Sequence, residues 1–116
     1  LLLVSDTVAP EDPVLDTFFN TMEFLRDASH VRNYRGSEWM RMLAAAGFEG
    51  EMLARFPLAL DGADWTRRMQ TPREKVEMLQ LLLREANPAV RAAFEVRDEP
   101  WGFTIPIGVM KARKPA

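Results

Sequence analysis

Four residues on one short stretch, Asp27-Ala-Ser-His-Val-Arg-Asn-Tyr-Arg35, can hold or move charge: His30, Arg32, Tyr34 and Arg35. His30 is the sole histidine. An imidazole both accepts and releases a proton near neutrality, so His30 is the candidate general base for a hydroxyl or a ring carbon acid. A loop histidine serves equally as a structural bridge, and the sequence leaves both roles open. Arg32 offers a planar fork to an anionic substrate, or to Asp27 or Glu38 as an ion-pair partner. Tyr34 is suited to stacking on or hydrogen-bonding a substrate, or to anchoring the loop. Asp6 follows the apolar run Leu1–Val4. It reads as a functional carboxylate at a strand end or as a solvated one. Phe18 and Phe19 are candidates to line an apolar substrate pocket, and their spacing fits a core stripe as well.

Other chemistries lack their residues. One histidine and no cysteine leave only carboxylates for a metal, which excludes the usual zinc and transition-metal sets. There is no nucleophile-elbow serine and no phosphate-cradling loop.

The elements that must position these groups are marked by caps and periodicity. Ser37 is the expected N-cap of a helix with Glu38 in its first turn. Trp39, Leu43 and Ala46 form its buried stripe, Met42 widens it, and Gly47 supplies a left-handed stop. Upstream, Leu1–Val4 reads as a buried strand, and Asp12-Pro13 starts a helix running to about Arg26. Downstream, Glu51–Leu60 alternates as a strand, with Met52, Ala54, Phe56 and Leu58 on one face. Pro57 places that strand at an edge, at a bulge or at a break. Residues 61–94 read as a helical insert. Asp61 opens a short helix, Thr71 and Glu74 form an expected capping box, and Asn87-Pro88 starts a last brief helix. Phe103–Ala112 is a third strand, in which Pro106 is awkward for a central position.

The 116 residues suffice for one domain. A formal charge of −2, with acids and bases interleaved, gives no nucleic-acid surface. No apolar run reaches membrane-span length. The absence of cysteine fits a cytoplasmic protein. Opening directly on an apolar strand is expected of a piece of a longer chain, because such strands have neighbours on both sides.

The run Asp27-Ala28-Ser29-His30-Val31-Arg32-Asn33-Tyr34, then Ser37-Glu38-Trp39 and Ala45-Ala46-Gly47-Phe48, resembles class I S-adenosylmethionine-dependent methyltransferases of the ubiquinone/menaquinone-biosynthesis type. It matches their later half, and Ala28 replaces the proline usual there. The resemblance implies an α/β, partial Rossmann-like fold. Its three-stranded mixed sheet would hold the fifth, seventh and sixth strands of the family order, the seventh antiparallel between the others, with flanking helices. It further implies the acceptor-substrate-binding half of such an enzyme, inactive alone, taking a small-molecule methyl acceptor. The cofactor S-adenosylmethionine would belong to the complete enzyme, because the glycine-rich turn and ribose carboxylate of a cofactor site are missing from this sequence. The rival expectation is a non-catalytic α/β interaction module derived from that fold. In either case the uncovered first strand is expected to form a homodimer.

Overall fold

The structure is a computed structural model and describes residues 1–116. In chain order the elements are β1 (Leu2–Thr7), α1 (Pro13–Arg26), α2 (Gly36–Ala45), β2 (Glu49–Asp61), α3 (Gly62–Arg68), α4 (Arg73–Glu85), α5 (Pro88–Ala93), β3 (Arg97–Asp98) and β4 (Trp101–Arg113).

The long strands run in the order β1-β4-β2, and β3 pairs the start of β4. This is the expected order of fifth, seventh and sixth strands. Every pairing is antiparallel, so the sheet is four-stranded and antiparallel rather than three-stranded and mixed. β3 spans only two residues, too short for periodicity to reveal it.

The two strand prolines sit opposite each other, Pro57 against Pro106. The Pro106 carbonyl accepts from Val8 N–H at 3.0 Å, so its polar groups point away from β2. In an antiparallel ladder that makes the two prolines a non-hydrogen-bonded pair, and neither deletes a bond between β2 and β4. The N–H that Pro57 lacks would face the open side of an edge strand, and β2 is indeed at an edge. The register also slips between Met52 and Ala54, leaving Leu53 unpaired. This bulge corrects the expected faces. Met52 lies opposite Met110, while Ala54, Phe56 and Leu58 lie opposite Val109, Ile107 and Ile105.

Two helix starts differ from expectation. α2 begins at Gly36 with Arg35 as its cap, and Glu38 reaches back to the Arg35 N–H at 2.9 Å. Ser37 instead gives its hydroxyl (2.6 Å) and N–H (3.2 Å) to the Glu11 carboxylate. A carboxylate borrowed from the preceding loop therefore occupies this helix end, where the dipole favours an anion. Thr71 does not cap α4 either: its hydroxyl donates to the Arg26 carbonyl at 2.7 Å and ties the insert to α1. The expected caps Asp12, Asp61 and Asn87 each accept backbone N–H groups. Gly47 closes α2 at φ +89°, with Phe48 N–H bonded to the Leu43 carbonyl and Gly47 N–H to that of Ala44.

The main core joins Phe19 and Met22 of α1, Trp65 of α3, Leu79 and Leu83 of α4, and Phe103 and Ile105 of β4. α2 packs on the opposite sheet face, where Gly50 leaves room for Leu43 and Met40.

Candidate functional site

Two loops meet at the carboxyl end of β1. Ala9 N–H bonds the Tyr34 carbonyl at 2.9 Å, and Ala9 bridges Arg35 in parallel. The segment after β1 thus lies alongside the segment entering α2. Val8 and Ala9 are fully buried, so this junction is fixed by packing as well as by hydrogen bonds. The turn that leads to it is held by Asp27, whose carboxylate accepts from Ser29 N–H (3.0 Å) and hydroxyl (2.7 Å). The Ser29 hydroxyl holds the Asp27 carboxyl below its ordinary range.

Asn20, on α1, is the hub. Its Oδ1 accepts from Asn33 N–H at 2.6 Å and lies 3.1 Å from His30 Nε2. Its Nδ2 faces Asp16 Oδ1 at 2.8 Å, the Asp16 carbonyl at 3.1 Å and the Asn33 carbonyl at 3.2 Å. The Asn33 side chain accepts from the Thr7 hydroxyl at 2.8 Å. Thr7 N–H in turn donates to Asp6 at 2.7 Å. The structure therefore links Asp6 to His30 by a polar chain through Thr7, Asn33 and Asn20. One buried donor in it, Asn33 Nδ2, has no partner within the protein.

Beside this chain lies an ion cluster. Arg32 reaches Glu38 through Nη2 (2.7 Å) and Nε (3.2 Å), and Asp16 through Nη2 (2.8 Å). Arg35 Nε adds a contact to Glu38 at 3.1 Å. The Arg32 hydrogen bond, then the Arg35 N–H, hold the Glu38 carboxyl down at about 2. Glu38, then Asp16, raise the Arg32 pKa, so its charge is permanent. Of the pairings open to Arg32, the one with Glu38 forms and Asp16 joins it, while the one with Asp27 does not. Its Nη1 makes no hydrogen bond within the chain.

The other expected site residues separate. Tyr34 meets Trp39 edge-on at 6.1 Å and makes no side-chain hydrogen bond, which suits an anchor. Phe19 is corrected to a core residue: it is 0% exposed and packs on Phe94 at 5.9 Å, with no surface for a ligand. Phe18 is half-buried and lines a groove of about 550 Å³ with Val14, Thr17, Leu82 and Val90. A second groove, about 420 Å³, runs past Val8, Pro10, Arg55, Phe94 and Pro106. Neither groove includes His30, Arg32 or Tyr34. Sequence reasoning missed Asp16 and Asn20. The signal was available: two polar residues four apart, one helical turn, beside the buried Phe19.

The comparisons with known proteins bear on the fold as a whole. No family model matches. The chain is 35% identical over 115 residues to the uncharacterized protein YafE of Escherichia coli (strain K12), covering 99% of this chain and 55% of YafE. It is 36% identical over 92 residues to the uncharacterized methyltransferase YcgJ of Bacillus subtilis (strain 168), covering 79% of this chain and 36% of YcgJ. The crystal structure of BH2331 from Bacillus halodurans C-125, a candidate methyltransferase, superposes with a TM-score of 0.92 at 36% identity, over 99% of this chain and 55% of that one. The chain is a methyltransferase relative. The YcgJ structure superposes with a TM-score of 0.84 at 28% identity, over 98% of this chain and 51% of that one. The methyltransferase relative thus spans about half the length of the proteins it matches.

The segment leaving β1, Val8-Ala9-Pro10-Glu11-Asp12, has no glycine. Gly36 and Gly62 start helices, Gly47 ends one, and Gly50, Gly102 and Gly108 lie in strands. None belongs to a glycine-rich turn following a strand.

Proposed function

We propose that this chain is the acceptor-binding half of an S-adenosylmethionine-dependent methyltransferase, inactive by itself because the cofactor is held by residues outside it. The observation that carries the reading is the superposition on BH2331 over nearly the whole chain but little more than half of BH2331. In this reading the work of the chain is to place a small-molecule acceptor and take its proton. His30 is the base. It sits in the loop between α1 and α2, on a hydrogen-bonded scaffold anchored in α1. Arg32 and Glu38 act as the brace that fixes the loop. Asp6 and Phe18 have exposed surface to offer an acceptor.

The experiment is His30→Ala in the complete enzyme. Turnover should fall by roughly 10²–10⁴ with cofactor affinity unchanged. A change of only a few-fold, or a loss accounted for by lower thermal stability, would return His30 to a purely structural role.

Self-association belongs to the same proposal. β1 has β4 on one side only, and Leu1 and Leu3 are 84% and 63% exposed. An apolar strand with one open ladder edge is a template for a second copy. As for compartment, no helix is long and apolar enough to cross a membrane, and a cytoplasmic site remains part of the proposal.

A further inference from the structure

We infer that Asn20 is a positioning residue that locks His30 as its Nε2–H tautomer, leaving Nδ1 as the nitrogen that takes the proton. The inference rests on the reading of His30 as a base, and its own test is independent of turnover.

The orientation of the Asn20 amide is dictated by its neighbours. Nδ2 faces three acceptors, the Asp16 carboxylate and the carbonyls of Asp16 and Asn33. An amide oxygen in that position would face oxygen on every side. Oδ1 must then be the atom that receives Asn33 N–H and faces His30 Nε2. A bare Nε2 at 3.1 Å from that oxygen would oppose lone pair to lone pair, so Nε2 carries the proton. A neutral imidazole has one N–H, which leaves Nδ1 bare. Nδ1 makes no hydrogen bond within the chain, and it is not among the enclosed polar atoms lacking a partner.

Asn20 is itself held from behind. Asp16, one helical turn earlier, takes its amide, and Arg32 takes the other oxygen of Asp16. Arg32, Asp16 and Asn20 therefore form an aligned support ending on the ring. The partner touching the ring is a neutral amide, so the ring is oriented without a carboxylate in direct contact. The charged residues joined to this network are Asp27, whose backbone carbonyl accepts the His30 N–H at 2.9 Å, and Asp16 behind the amide. On proton abstraction the acceptor's O–H or C–H bond breaks and leaves its electron pair on the acceptor. The new N–H forms at Nδ1, while Nε2–H continues to donate to Asn20. No rotation of the ring is needed, which is what preorganisation of a base requires.

The test is long-range proton–nitrogen correlation NMR on the nitrogen-15-labelled chain, above the titration of the ring. A single histidine makes the spectrum unambiguous. The expected result is a protonated Nε2, a bare Nδ1, and an Nε2 proton that exchanges slowly enough to be observed. Asn20→Leu should lose the slow proton and let the ring average between tautomers. A wild-type ring that is Nδ1–H, or already averaging, overturns the inference without reference to any variant. So does an Asn20→Leu spectrum that keeps the slow proton and the single tautomer. In the complete enzyme, Asn20→Leu should lower kcat by roughly 10- to 100-fold with KM for the acceptor unmoved, less than removing the base itself. A locked tautomer with His30→Ala fully active would sink the base and keep the positioning. An averaging ring with His30→Ala inactive would do the reverse.

Discussion

Glu38 offers the most direct energetic check on the loop that carries the site. It accepts from Arg32 at 2.7 and 3.2 Å and from Arg35 at 2.9 Å (N–H) and 3.1 Å (Nε). These contacts lower its carboxyl from 4.5 to about 2, with the Arg32 hydrogen bond the largest cause. Fully realised, a drop of that size corresponds to about 3 kcal/mol of folding free energy. Solvent still reaches 19% of the Glu38 side chain and 31% of that of Arg32, so screening reduces the expectation to about 1–2 kcal/mol. The raised Arg32 pKa is the same interaction seen from its partner and is counted once. Because the folded pKa is depressed, this stability is complete above about pH 4.5 and is lost as pH falls toward 2. Glu38→Gln should therefore lower urea-unfolding stability by about 1–2 kcal/mol at pH 7. The gap to wild type should close as the pH approaches 2. Equal stabilities at pH 7 would refute the reasoning, and so would a gap of the same size at both ends of the range.

Three further outcomes follow from packing and pairing. Phe19→Ala should cost about 3–5 kcal/mol in chemical unfolding, and Phe18→Ala distinctly less because its ring is half-buried against Phe94; equal penalties would contradict the core assignment. Gly62→Ala should destabilise by about 1–3 kcal/mol, because the new Cβ would meet the Trp101 ring; an unchanged midpoint would show that the ring moves aside. Sedimentation should give a mass near twice 13.3 kDa for association through β1. A monomer at all concentrations, or a dimer unaffected by a lysine at Leu3, would refute that edge as the contact.

Much of the fold was legible because local chemistry and tertiary packing agree. Asp12-Pro13, Asn87-Pro88 and Gly47 start and stop their helices as their types require. The failures mark places where a distant group intervened. Ser37 was a sound cap by type, but Glu11 reaches across from the preceding loop and takes its donors. Thr71 was a sound cap too, until the Arg26 carbonyl became the nearer acceptor. The faces of β2 were misassigned because no residue type announces a bulge at Leu53. Pro106 looked wrong for a central strand because local reading does not show that its donor-less side faces Val8, just past the end of the β1 ladder. In the site, His30 could be named from its chemistry. Its support could not, since Asn20 and Asn33 are brought to it by the fold. The pairing of Arg32 with Glu38 was open to local reading, but that with Asp16, 16 residues away, was not.

The central claim is that the acceptor side of a methyltransferase lies in this chain and the cofactor side does not. Calorimetric titration of the purified chain with S-adenosylmethionine, and with its demethylated product, tests it most directly. No saturable heat is predicted for either, because no turn in the chain offers the glycine-opened backbone that such a nucleotide needs. Stoichiometric binding in the micromolar range would contradict it.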